Sequence, residues 1–445
     1  MIKACVVLVL ILTIRCNTQS LEPTQSAERV ARKAVEAIIS GNYEEFASCF
    51  DEKLIQQGLV SSDILSIAIS EMTKNTGPIQ EIRQVQYVTR NTMTHLIVTT
   101  VCQQHYILDI AISIDETQKI KSFFFKPPQV DFVYKPPKYV KKDRFREETL
   151  LYGNEYPLPA TFTVPINKKT FPAVILVHGS GPNDRDLTIG QNKPFRDIAW
   201  ALASEGIGVF RYEKRTRLYS DKGSADTPKA EVVDDVLEAI KYLKNRKDVS
   251  SVYVLGLSLG GMMMPMIMEH DTDAAGFIMC AAPARKLQEL YIEQYNYILS
   301  LSGEMTKAQK RYLEYITEQA DRITKGEFDD STTADELLNI PPSYWKDLNA
   351  YDQTNVLKKQ SRPVLILQGE ADYQITMQDF GMWKTAMSGK RNVTFVSYPR
   401  LNHLFIEGSE KSRPADYEKE GHVHAKVIKD SIKWIKTREK ERSKQ

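Results

Sequence analysis

The stretch "SVYVLGLSLGGMMM", residues 251–264, decides how the rest of the chain is read. Its first half is apolar without alternation, as a strand buried on both faces must be. Its second half turns small and then methionine-rich, which predicts a buried helix. Ser258 stands at the junction, framed by Gly256 and Gly260 in the pattern G-x-S-x-G. A serine on so sharp a turn is held out at the end of its strand. The residues two before and two after must then be nearly free of side chain. The pattern alone is weak, since a serine that merely caps a helix also satisfies it. Its surroundings have to decide.

Working outward, strands and helices alternate on both sides. Before it come the hairpin "FREETLLY"/"PATFTVP", the strand "AVILVHG", the helix "PFRDIAWALASEG", the strand "IGVFRYE" and the helix "AEVVDDVLEAIKYLKN". After it come "AAGFIMCAA", "RPVLILQGEAD", "DFGMWKTAM", "NVTFVSYP" and a last helix from about His424 to Trp434. Unbroken apolar strands alternating with helices predict an α/β fold, a mostly parallel sheet covered on both faces. Residues 285 to about 350 interrupt the rhythm with helical, Tyr- and Glu-rich sequence, read as a cap. Its apolar stripe includes Tyr291 and Tyr295, expected either to pack the cap down or to line a substrate pocket.

A serine hydroxyl needs a base, and the base an orienting acid. "LQGEADYQI" places Asp372 just after a buried strand, with Glu370 as rival and Asp379 as a distant third. "SYPRLNHLF" places His403 after the next strand. Ser258, Asp372 and His403 therefore share one edge of the sheet, in the order Ser, Asp, His. The developing oxyanion calls for two backbone N–H donors. Leu259, next to the nucleophile, supplies one. The loop "HGSGPNDRD" supplies the other, at Ser180 or next at Gly181, with His178 supporting that loop. Asp184, Arg185, Arg211 and Arg215 read equally well as an ion-pair network or as solvated loop charges. No metal or cofactor is called for.

At this point a resemblance is visible. The stretch 171–216, "FPAVILVHGSGPNDRDLTIGQNKPFRDIAWALASEGIGVFRYEKRT", resembles an α/β-hydrolase family of bacterial serine esterases, dienelactone-hydrolase-like or serine-aminopeptidase-like. "GLSLGG", "PPSYWKDLNAYD", "VLILQGEADYQI" and "YPRLNHLF" follow in the family's order. The resemblance covers residues 145 to 440 and implies an α/β-hydrolase fold with the triad on Ser258, Asp372 and His403. Two departures stand out. Glu213 replaces the usual aspartate, and a serine stands where dienelactone hydrolases proper use cysteine, so that particular activity is not implied. The expected function is a carboxylesterase acting on short to medium acyl esters through an acyl-enzyme on Ser258. An exopeptidase, amidase or thioesterase on the same triad is the alternative.

Ahead of residues 144–440, read as the catalytic domain, the texture differs. Residues 1–20 carry a short apolar run (Ala4–Ile14) after a basic start, the pattern of a signal peptide. Export to the periplasm or beyond is therefore expected, and Cys16 raises a lipid anchor as an alternative. Residues 26–126 read as three helices and then four strands, a small α+β domain of unknown role; a ligand-binding module is the rival reading of the protein's function. The Pro- and Lys-rich segment 127–143 reads as a linker. Net charge is only +2, from 59 Lys and Arg against 57 Asp and Glu, which argues against a nucleic-acid surface. Outside the leader no segment looks membrane-spanning. Cys49, Cys102 and Cys280 have neither disulfide-framework nor metal-ligand spacing and read as buried thiols. The expected partner is a small ester, and self-association into a homo-oligomer stays open.

Overall fold

The structure, a computed structural model, describes residues 24–444 except 75, 91, 105, 127, 128, 131, 167, 220–223 and 302. The leader and Cys16 lie outside the described residues. The chain begins with helices α1 (Thr24–Ser40), α2 (Tyr43–Ser48), α3 (Glu52–Gln56) and α4 (Ser62–Thr73). Four helices stand where three were expected: the additional one, α3, is little more than a single turn, started by the capping side chain of Asp51. Strands β1 (Ile79–Arg90), β2 (Met93–Cys102), β3 (Tyr106–Asp115) and β4 (Ile120–Phe125) follow as an antiparallel meander, and β5 (Gln129–Val130) pairs with β3.

Strand periodicity divides the residues of this first sheet between two partners. Leu96, Val98, Leu108, Ile110 and Ile112 face the helices, in one core with Ala31, Val35 and Phe46. Val88 and Ile97, on the opposite face, belong to the core of the second sheet. The second face of this sheet therefore packs, through Val88 and Ile97, against the larger domain.

The segment read as a linker packs against the larger domain. Tyr134 donates a hydrogen bond to the buried Asp197, the Tyr139 hydroxyl donates to the Val423 carbonyl at 2.7 Å, and Lys141 N–H to Ser204 Oγ at 2.8 Å. Proline and lysine suggested a solvated tether, but the tyrosines between them strap the segment onto the larger domain.

That domain contains β6 (Phe145–Tyr152), β7 (Leu158–Pro165), β8 (Phe171–Val177), α5 (Pro194–Ser204), β9 (Gly208–Tyr212), α6 (Arg215–Leu218), α7 (Asp234–Lys244), β10 (Val249–Leu257), α8 (Leu259–Met262), α9 (Met264–His270) and β11 (Gly276–Cys280). The insertion contributes α10 (Leu287–Ser300), α11 (Lys307–Lys325) and α12 (Pro342–Ala350). The chain then returns through α13 (Gln353–Lys358), β12 (Val364–Gly369), α14 (Met377–Ala386), β13 (Val393–Tyr398) and α15 (Ala425–Arg442). The eight strands lie in the order β13-β12-β11-β10-β8-β9-β7-β6, parallel from β13 to β9 and antiparallel at the β7–β6 edge. This is the architecture that the sequence pattern and the resemblance imply.

One apolar core lies between the sheet and α7, α9 and the cap; the other lies under α5 and α15. The last helix outruns its expected end at Trp434, since Glu439 accepts hydrogen bonds at 2.7 Å from both Ser251 and Tyr253 of β10. Cys49, Cys102 and Cys280 are free and buried. Among the described residues no helix is long and apolar enough to cross a membrane.

Candidate active site

Strand β10 lies near the middle of the sheet, and the chain leaves its carboxyl end through Ser258. This serine has φ 56° and ψ −120°, a strained conformation for a residue with a side chain. Two backbone bonds enforce it: Ser258 N–H donates to the Cys280 carbonyl at 2.9 Å, and Met262 N–H to the Ser258 carbonyl at 2.8 Å. The glycines around it are required by space. A Cβ on Gly260 would sit 2.6 Å from the Val177 carbonyl oxygen, and one on Gly256 would strike Gly260. Ser258 itself is half-buried, and the neighbouring Leu259 is buried. As the first residue of α8, Leu259 has an N–H ahead of the helical ladder, and among the described residues that N–H has no hydrogen-bond partner.

Past the ends of β12 and β13 the structure brings Asp372 and His403 together. His403 Nδ1 lies 2.7 Å from Asp372 Oδ2, and both residues are buried. Asp372 Oδ1 accepts the N–H groups of Gln374 (2.8 Å) and Ile375 (3.1 Å), so the carboxylate has one fixed direction. The histidine loop is shaped by Asn402, whose side-chain oxygen accepts from Leu404 and Ile406 N–H, while the Tyr417 hydroxyl accepts the His403 N–H at 3.2 Å. Gly369 lets the two loops meet, because any Cβ there would strike the Leu401 carbonyl.

The rival acids go elsewhere. Glu370 faces solvent and accepts the Ser397 hydroxyl at 2.7 Å. Asp379 is fully buried and ties down the start of the cap through Ala284 N–H, Arg285 N–H and the Arg285 guanidinium.

The "HGSG" loop passes against the serine, with the Gly179 Cα so placed that an added Cβ would lie 3.1 Å from Ser258 Cβ. What holds this loop leaves no signal along the sequence. Lys214 Nζ, itself buried, donates to the Gly179 carbonyl at 2.7 Å, and Asn183 Nδ2 reaches the carbonyls of Gly179, Ser180 and Gly181. A trans peptide plane points its C=O and the following N–H in opposite directions. Pinning the Gly179 oxygen therefore aims the Ser180 N–H away from Lys214. Among the described residues that N–H has no hydrogen-bond partner.

The lysine charge is answered by Glu231, whose second oxygen accepts the Tyr344 hydroxyl at 2.5 Å. Lys214 lay hidden in the charged run "RYEKR", where a buried cation reads the same as a solvated one. The charges around the loop prove to be a network: Arg185 pairs with Glu213, and Arg211 with Asp186 and Glu147. Arg215 instead pairs with Asp235 on α7, and Asp184 takes the N–H and hydroxyl of Thr188.

His178 supports the loop from below. Its Nε2–H donates to the Tyr212 carbonyl at 2.7 Å, and its Nδ1 has no partner among the described residues. Burial lowers its pKa to about 4, so it remains neutral at ordinary pH. An unfolded histidine binds its proton near pH 6.5. Between about 6.5 and 4 the unfolded chain takes up a proton that the native state refuses. The stabilisation is complete above that window and falls through it on acidification, by about 3 kcal/mol. Urea midpoints measured from pH 7 down to 4.5 should show this loss, and His178→Gln should flatten it. An unchanged slope in the variant would place the effect elsewhere.

Tyr291 and Tyr295 do not meet the Ser258, Asp372 or His403 side chains in any described contact. They stack on each other (centroids 4.9 Å apart), and Tyr295 continues the row to Tyr312 on α11. Helix α10 reaches the acid and histidine loops through other residues, with Gln294 donating to the Gln374 carbonyl at 3.0 Å and Tyr297 to the Ser412 carbonyl at 2.9 Å. Among the described residues no group of His, Cys, Asp and Glu is arranged to hold a metal ion.

The chain is similar to several known proteins. The family model described as serine aminopeptidase, S33, matches residues 172–410. Esterase EstD of Thermotoga maritima is 40% identical over 325 residues, which is 73% of this chain and 75% of that protein. Among solved structures, Est1E from Butyrivibrio proteoclasticus is 15% identical with a TM-score of 0.42, covering 65% of this chain and 98% of its own. An acylaminoacyl peptidase of Pyrococcus horikoshii is 12% identical with a TM-score of 0.46, covering 80% and 56%.

Proposed function

We propose, because the chain belongs to the serine aminopeptidase (S33) family of α/β-hydrolases, that it is a serine carboxylesterase with Ser258, His403 and Asp372 as its triad. The observation that most supports this is the strained Ser258 turn at the same sheet edge as the hydrogen-bonded His403–Asp372 pair. Ser258 Oγ attacks the ester carbonyl carbon while its proton passes to His403 Nε2. Asp372 holds the Nδ1–H and stabilises the imidazolium. The Leu259 and Ser180 N–H groups receive the oxyanion, a contribution that falls by about 3–4 kcal/mol when one such donor is lost. Collapse expels the alcohol, which takes the proton from His403 and leaves an acyl group on Ser258. Water then repeats the sequence and releases the acid.

The decisive measurement is turnover of aryl esters of increasing acyl length beside aminoacyl anilides. Faster cleavage of esters than anilides by several decades is expected. The reverse order would favour an exopeptidase, the second reading that the family's description keeps open.

In this reading the Tyr291–Tyr295–Tyr312 row braces the cap and limits acyl length. Tyr295→Ala should raise turnover of octanoyl relative to acetyl esters several-fold, with acetyl turnover little changed. An unchanged chain-length profile with a lowered melting temperature would reduce the row to packing. The apolar leader supports export, and N-terminal sequencing of the mature protein would test it.

A further inference from the structure

The short helix α6 stands between the oxyanion loop and the N-terminal sheet. On one side Lys214 fixes the Gly179 carbonyl, Lys214 N–H donates to the Asn183 carbonyl at 3.1 Å, and the Thr216 hydroxyl donates to the Gly181 carbonyl at 3.3 Å. On the other side Arg217 pairs with Asp109 of β3, with both side chains only 8% exposed. Asp109 is itself steadied, its other oxygen accepting the Thr99 hydroxyl of β2 at 2.7 Å. The pair does not end there. Arg217 Nε lies 3.0 Å from Glu213 Oε2, and Glu213 Oε1 accepts Arg185 Nε at 2.8 Å. Arg185 belongs to the same loop as Ser180. A continuous line of buried charge thus runs from the first sheet to the loop beside Ser258.

Adhesion alone does not call for such a contact. A buried ion pair adds little net stability over well-packed apolar side chains, and apolar contact is already supplied here by Val88 and Ile97. A hydrogen-bonded charge pair adds a fixed direction. We propose that the N-terminal unit is a positioning element for ester hydrolysis: Asp109, acting through Arg217, holds α6 where Lys214 aims the Ser180 N–H at the reacting carbonyl. The proposal rests on the reading of Ser180 as an oxyanion donor given above. Asp109 and Arg217 touch no substrate and act only through the loop.

The test is Asp109→Asn in the full chain, with kcat expressed per active site titrated by a fluorophosphonate, so that misfolded protein is not counted. A misaimed donor predicts a fall in kcat per site of roughly ten- to a hundredfold. KM should stay within about threefold and the rate of phosphonylation should fall in parallel, since the phosphoryl oxygen occupies the same hole. Wild-type kcat per titrated site, whatever the melting temperature, would overturn the proposal. If Asp109→Asn fails to fold, Thr99→Val removes the hydroxyl that orients the carboxylate without stranding a charge. A smaller fall in kcat per site is then expected, and an unchanged value overturns the proposal equally. Ser258→Ala judges separately the serine-hydrolase reading on which the oxyanion assignment depends. Labelling retained there refutes the nucleophile and this proposal with it; labelling lost there, with kcat unchanged in Asp109→Asn, refutes the positioning alone.

Discussion

Ser258→Ala should lower ester turnover by roughly four to six decades and abolish labelling by a fluorophosphonate, while the protein melts as the parent does. The size follows from the way nucleophile, base and acid act as one unit: removing the nucleophile leaves only binding and oxyanion stabilisation. The fold should survive because the change removes one oxygen and leaves the elbow's backbone bonds to Cys280 and Met262 in place. Turnover and labelling are measured on the same preparation, with the melting curve as control. Labelling that persists in the variant would mean that another residue is the nucleophile.

Asp372→Asn carries the second largest expectation, a loss of about 10⁴ in kcat. The loss comes from the histidine tautomer. Asp372 Oδ1 accepts two backbone N–H groups, from Gln374 and Ile375, which an asparagine can satisfy only with its carbonyl oxygen. The amide NH₂ must then face His403 Nδ1, which has to present a lone pair and carry its proton on Nε2. That tautomer cannot take the serine proton. Glu370→Gln should change kcat by less than about twofold, since the exposed Glu370 side chain accepts only the Ser397 hydroxyl among the described residues. Asp379→Asn should lower the melting temperature by loosening Arg285 and the cap's first residues, and should act on turnover only secondarily. If the order of Asp372 and Glu370 were reversed, the role of acid would pass to Glu370.

These two residues show where reading along the chain stops. Glu370 and Asp372 lie two positions apart in one loop, each a carboxylate just beyond a buried strand. Only the turn closed by the Gln374 and Ile375 N–H groups separates them, directing one inward and leaving the other in water. The same holds for Lys214, which lies among four other charged residues within the seven-residue run from Arg211 to Arg217. Its burial follows from the meeting of three segments, the Gly179 loop, Glu231 and the cap residue Tyr344, which are far apart in sequence.

What the sequence determined by itself is what short-range physics controls. Short apolar runs that alternate with helices predict strands covered on both faces, and G-x-S-x-G at the end of one can bend sharply where glycines make room. Strand–helix alternation then fixes the parallel sheet, and with it the common edge shared by Ser258, Asp372 and His403. The tertiary structure decided the rest: which carboxylate meets the histidine, what aims the Ser180 N–H, that the tyrosines of residues 132–141 strap rather than tether, and that Asp109 reaches Arg217 across 108 positions of chain. A charged side chain that will be buried against a distant partner has the same local sequence as one that stays in solvent. Its partner is set by how sheets and loops pack, and no periodicity along the chain records it.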